Sequence, residues 1–122
     1  MIKGVRDFYY NVKDMDRAVR FYTEALGMTK GYGHEHWTSM KSGSAEIGLH
    51  WTEGKDVPTT PRDSHGQNAG GTLTLISDDV KADRKTIEAH GAKILGEFDQ
   101  PWGHMLVVED LDGNVLKPMN PK

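Results

Sequence analysis

The chain repeats itself. Laid over its own sequence at a shift of 64 residues, Asp14–Gly27 matches Asp78–Gly91 at six of fourteen positions: Asp14/Asp78, Ala18/Ala82, Arg20/Arg84, Glu24/Glu88, Ala25/Ala89 and Gly27/Gly91. Lys81 answers Arg17. A doubled segment limits the fold more than any other feature, because both copies must carry the same elements in the same order. A length of 122 residues leaves room for two units of about sixty. The chain as a whole can bury about two-thirds of its surface on folding, enough for a core without staples.

Each copy reads as β-α-β-β-β. Residues 5–12 are rich in aromatic and β-branched types, as a strand requires. Asp14 stands where an N-cap belongs, its carboxylate able to accept from the free amides of the first turn. Met15, Ala18, Val19, Tyr22 and Leu26 then recur at helical spacing, and Gly27 ends the helix as a left-handed residue. Extended segments 28–33, 35–41 and 45–51 follow, the last two joined by a Ser42-Gly43-Ser44 turn. In the second copy the strand is 72–77, the cap Asp78 or Asp79, and the terminator Gly91. Its apolar stripe of Val80 and Ile87, with Ala82 and Ala89, is thinner. Segments 92–98, 104–109 and 114–119 complete it, with the turn at Asp110-Leu111-Asp112-Gly113-Asn114. Residues 52–70 join the copies; a loop of that length is functional, an arm to a partner, or mobile.

Composition excludes several classes. No cysteine is present, so disulfides, thiol nucleophiles and zinc–thiolate sites are out. Fifteen basic and eighteen acidic residues, without a block of either sign, argue against nucleic-acid or anionic-membrane binding. No apolar run approaches a membrane span or a signal peptide, so a cytoplasmic protein is expected.

The doubled unit, with Val12-Lys13-Asp14-Met15, Phe21-Tyr22 and Ala25-Leu26-Gly27 opening the first copy, resembles the vicinal oxygen chelate superfamily of glyoxalases, bleomycin-resistance proteins and dioxygenases. Ser77-Asp78-Asp79-Val80, Ala89-His90-Gly91-Ala92, Pro101-Trp102-Gly103 and Glu109-Asp110-Leu111-Asp112-Gly113-Asn114 extend the likeness, with Leu111 where the family usually has proline. The resemblance implies an α+β fold and a single domain of two βαβββ modules, about 1–51 and 71–122, with a linker of about 52–70. They form a curved eight-stranded mixed sheet, a cup, with helices on its convex face. Alternation then puts Phe8, Tyr10 and Val12 under the helix and Asp7, Tyr9 and Asn11 in the cup.

The superfamily's enzymes hold one divalent metal (Zn, Ni, Mn or Fe) on imidazole and carboxylate groups from four strand positions. Carried over, these positions fall on Asp7, on Gly48, on Gly71 or Thr72, and on Lys117. Asp7 is either a ligand or a solvated strand-end charge. Glycine offers no donor, and lysine sets a cation where the metal should lie. No cofactor is therefore expected, unless ligands have moved. His34, His36, His50, His65, His104, Glu46 and Glu109 are the other donors; either His50, Asp7 and His104 form a displaced site, or these histidines are surface or hydrogen-bonded strand residues. His90 reads as a helix-terminus charge. Lys117 is either a Schiff-base or general-base lysine, or one that reaches solvent or an acidic ligand group.

What remains is an aromatic and polar cup. Trp37 and Trp102 at its edge, with Tyr9, Asn11, His50, His104 and Lys117, suit a planar small molecule. Alternatively the tryptophans, Trp51 above all, serve the core or a dimer interface. His36-Trp37-Thr38-Ser39-Met40 and the turn after it resemble bleomycin-resistance proteins, which bind a drug without metal catalysis in clefts of a dimer. The expected function is metal-independent binding of an aromatic or drug-like ligand by a homodimer, an antibiotic-resistance type of role. The alternatives are a metal-dependent lyase, isomerase or extradiol-type dioxygenase with relocated ligands, and an interaction module whose cup is vestigial.

Overall fold

A computed structural model describes residues 1–58, 61–62 and 71–122, and falls into two compact units, Met1–Val57 and Pro58–Lys122. His65 and most of the joining loop lie outside the described residues. Among those described, no helix is long and apolar enough to cross a membrane.

The first unit runs β1 (Phe8–Val12), α1 (Met15–Arg20), a π-helical turn (Phe21–Ala25), β2 (Thr29–His34), β3 (Trp37–Ser42) and β4 (Ala45–Trp51). The second runs β5 (Leu73–Ile76), α2 (Val80–Ala89), β6 (Lys93–Gln100), β7 (Gly103–Glu109) and β8 (Val115–Pro121). Each has a four-stranded mixed sheet, ordered β1-β4-β3-β2 and β5-β8-β7-β6, whose outer strand pairs in parallel with the last and whose other pairs are antiparallel. The expected β-α-β-β-β unit is present twice. β1 starts three residues later than the composition suggested, and Met1, Ile2 and Val5 ahead of it are exposed.

Capping explains where the helices begin and end. The Asp14 carboxylate accepts from the amide of Arg17, and the Asp79 carboxylate accepts from that of Ala82. Asp79, not Asp78, is thus the second cap, so the copies are offset by 65 residues at the cap but by 64 at Gly27 and Gly91. The π-helical turn absorbs the difference. After α2, the amides of Gly91 and Ala92 reach the carbonyls of Glu88 and Ile87, three and five residues back. After the π turn, those of Gly27 and Met28 reach Thr23 and Tyr22, four and six back. Both glycines hold positive φ, +71° and +89°, where a β-carbon would be strained.

The extra residue also turns the buried stripe of the first helix. Ala18, Phe21, Tyr22 and Ala25 are buried, while Met15, Val19 and Leu26 are only half-buried. With Val12, Met40, Ile47 and Leu49 they form the first core. In the second unit Val80, Ile87, Leu106, Val108 and Leu116 are buried, but Ala82 and Ala89 face solvent. Each fully buried Leu, Ile or Val contributes about 1.5–3 kcal/mol by leaving water.

The closing hairpin is held by one side chain. Asp110, 5% exposed, accepts from the amides of Asp112 and Asn114 at 2.9 Å and from the Asn114 amide group at 3.1 Å. Gly113, at φ +85°, lets the chain reverse beneath it.

Candidate functional site

Helix packing uses one face of each sheet, and the other is left for function. In the first unit the open face carries Tyr9, Asn11 and His50. Tyr9 stands opposite Gly48, and Asn11 opposite His50, in the parallel β1–β4 pair. The Tyr9 ring lies 5.3 Å from Trp37 and 5.9 Å from His50, edge-on to both. His50 Nδ1 and Asn11 Oδ1 are 3.0 Å apart, so that bond needs the Nδ1–H tautomer or the imidazolium. Trp37, Tyr9, His50 and Asn11 thus form one chain of neighbouring side chains.

The structure adds what covers Gly48. A β-carbon there would come within 2.2 Å of Trp37 Cζ2 and Cη2 and 2.9 Å of Tyr9 Cβ. The benzo ring of the indole fills the space into which a side chain at 48 would project. Glycine within a strand often marks such a close approach.

In the second unit the open face holds a cavity of about 520 Å³ lined by Thr74, Phe98, Gln100, Trp102, Met105, Lys117 and Met119. Its floor follows the same device. A β-carbon on Gly96 would meet the Phe98 ring at 2.8 Å, and one on Gly103 would meet Met119 Sδ at 2.6 Å, so both side chains lie down across glycines. Trp102, 60% exposed, stands at the rim. Lys117 lies opposite Thr74 in the parallel β5–β8 pair. The β7–β8 ladder lapses beside it, between Met105–Met119 and Val108–Leu116, where Pro118 has no N–H to give. Trp102 and Lys117, both candidate residues in the sequence reading, are in this lining. Phe98, Met105 and Met119 line it too and were not candidates, since apolar residues in strands read as core.

Other expectations need correcting. His104 pairs with Asn120, whose amide accepts from Val80 N at the first turn of α2, so His104 lies on the helix side of its sheet. Its Nε2 is 2.8 Å from Glu97 Oε2, and its Nδ1 3.5 Å from Asp99. Arg84 on α2 holds Glu97 from the other side at 2.8 Å, and these two hydrogen bonds, Arg84's first, keep the Glu97 carboxyl below its ordinary range. His104 therefore leaves the set facing the cavity. Trp51, which the sequence reading set apart from the cup, faces the helix as its alternation with His50 requires, its indole N–H donating to Lys13 O at 3.1 Å. His36 is taken by Glu53 at 2.9 Å, and His34 Nδ1 accepts from the His36 amide. Gly71 and Thr72 precede β5.

The residues do not fit the superfamily's divalent metal. At the fourth-strand position an indole occupies the volume a carboxylate would need, and at the eighth-strand position stands an ammonium. Among the described residues, no three His, Cys, Asp or Glu side chains are placed to hold a metal ion.

Comparison with known proteins bears on the fold and the family. The profile described as the Glyoxalase/Bleomycin resistance protein/Dioxygenase superfamily matches residues 5–117. A hypothetical protein from S. aureus superposes with a TM-score of 0.77 at 16% identity, over 98% of this chain and 94% of that one. TnmS3, an antibiotic binding protein from a Streptomyces species, gives 0.69 at 25% identity, over 99% and 98%. The fosfomycin resistance protein FosX from Listeria monocytogenes, in complex with Mn(II) and a dihydroxypropylphosphonic acid, gives 0.76 at 16% identity, over 100% and 93%. No curated protein matches the chain by sequence.

Proposed function

The chain belongs to the glyoxalase/bleomycin resistance protein/dioxygenase superfamily, and from that membership we propose that it is a metal-independent binding protein for aromatic or drug-like small molecules, of the bleomycin-resistance type. The observation that carries the reading is the Trp37 ring over Gly48, an aromatic surface where a metal-binding member needs a carboxylate. Tyr9, Asn11 and His50 around it supply one more ring face and polar atoms to orient a ligand. In the second unit Trp102, Phe98 and two thioethers offer a polarizable apolar lining of drug-sized volume. TnmS3, with its printed antibiotic-binding role, is a relative in keeping with such a use. A homodimer belongs to the same reading, since the edge strand β2 exposes Tyr32, 69% accessible, for a second copy to cover; light scattering tests it.

The deciding experiment is metal content by elemental mass spectrometry, on protein purified without chelator and on a second sample loaded with Zn²⁺, Ni²⁺, Mn²⁺ and Fe²⁺ and then desalted. Substoichiometric metal in both supports the proposal, and tryptophan-quenching screens with aromatic drugs would then identify ligands. One metal per chain would overturn it in favour of an enzyme with relocated ligands, with His50 and Asp7 the first residues to replace.

A further inference from the structure

Three residues on the open face of the first unit stand in one row. Register sets Trp37 on β3 opposite His50 on β4, and His50 opposite Asn11 on β1. The three therefore cross the sheet at strand spacings of about 4.8 Å. The next row is Ser39, Gly48 and Tyr9. Because Gly48 has no side chain, the Trp37 indole leaves its own row and lies across it, edge-on to Tyr9 at 5.3 Å. The result is an aromatic floor beside an imidazole, two residues or about 7 Å apart along the strand. The imidazole is oriented. His50 Nδ1 lies 3.0 Å from Asn11 Oδ1, an oxygen that only accepts, so in the neutral ring the proton sits on Nδ1 and Nε2 carries the lone pair. His50 is exposed, and its Nε2 has no hydrogen-bond partner among the described residues. Neither row contains a carboxylate, a lysine or an arginine.

Resting on the binding function proposed above, we infer that the ligand of this face is a neutral planar aromatic bearing a hydroxyl or a ring N–H. That group donates to His50 Nε2 while the ring lies against Trp37 and Tyr9. Asn11 is the positioning residue, since it holds the tautomer that makes Nε2 an acceptor. In the other tautomer Nε2–H would face the donor of the ligand, and the bond would be lost. An aromatic ether of similar shape keeps the ring contacts but has no proton to give, so the face discriminates on that proton.

Equilibrium dialysis with 2-naphthol and 2-methoxynaphthalene at about pH 8, on the full chain, tests this. The intact protein should bind 2-naphthol about fivefold more tightly, the worth of one net hydrogen bond. His50→Phe keeps a ring but removes the acceptor, and should abolish the preference. Long-range proton–nitrogen NMR of the intact protein should show the His50 proton on Nδ1, with the His50→Phe spectrum identifying its signals. Asn11→Leu should move those signals toward the Nε2–H form and shrink the preference. Asn11→Asp still accepts from Nδ1 and should retain both, a rescue that a merely structural role for Asn11 would not give. Circular dichroism and melting of each variant verify folding. Equal affinity of the intact protein for the two probes, a preference that survives in His50→Phe, or a His50 proton on Nε2 overturns the inference and leaves small-molecule binding standing. Binding of neither probe also overturns it, and the tryptophan-quenching screen then tells whether the broader binding reading falls with it. If His50→Phe fails to fold, the tautomer and the probe comparison on the intact protein decide the matter.

Discussion

The indole of Trp37 on β3 lies across Gly48 on β4, with Cζ2 and Cη2 only 2.2 Å from where a β-carbon at 48 would sit. The two residues specify each other. The ring can lie there only because the strand beneath has no side chain, and any side chain at 48 must first expel the ring. Gly48→Ala should therefore cost about 1–3 kcal/mol as an overpacked position, and free the indole. Urea unfolding and tryptophan emission would show lower stability and a red shift together. Unchanged emission would mean that the ring does not occupy that space.

The closing hairpin depends on the Asp110 carboxylate. Asp110→Ala leaves the amides of Asp112 and Asn114 without their acceptor in a buried turn, at a cost of about 2–4 kcal/mol. Asp110→Asn should lose less, because both backbone amides share Oδ1 and its carbonyl oxygen can still accept them, so that the Asn114 side-chain amide alone loses its acceptor. Denaturant midpoints of the two variants provide the comparison.

Two adjacent aspartates precede α2, and the structure uses the second. Asp79→Ala should cost about 1 kcal/mol, the usual loss of an N-cap, and Asp78→Ala a few tenths at most. Equal effects in thermal melts would put the helix start one residue earlier.

Glu97 ties α2 to β7 through Arg84 and His104. Its carboxyl is held below the ordinary range, chiefly by the Arg84 hydrogen bond and then by His104. A depressed carboxylate stabilises the fold above its unfolded pKa, and that contribution is lost as pH falls through the folded value. The melting advantage of the intact chain over Glu97→Gln should thus be present at neutral pH and vanish below the normal glutamate range. Because the pair is partly exposed, high salt should shrink it. An advantage constant down to strongly acidic pH would contradict this coupling.

Sequence alone determined the doubled β-α-β-β-β order, the cap at Asp14, the terminating glycines at 27 and 91, and the grouping of Tyr9, Asn11 and His50 on one face. These rest on local rules: capping chemistry, the backbone freedom of glycine, and the two-residue alternation of strands. What the tertiary structure decided was every relationship that depends on strand register or on a neighbour's rotamer. His104 looked like a site residue, but pairing with Asn120 turns it toward α2. Phe98, Met105 and Met119 become a cavity wall only when three strands align, and Phe98 and Met119 must lie down over Gly96 and Gly103. The π-helical turn arises because the first copy has one more residue between cap and glycine than its core can seat on regular helical spacing. Gly48 read as a lost ligand, and only packing reveals it as the floor beneath Trp37. Register and packing are set by contacts between residues far apart in the chain, and no local pattern encodes them.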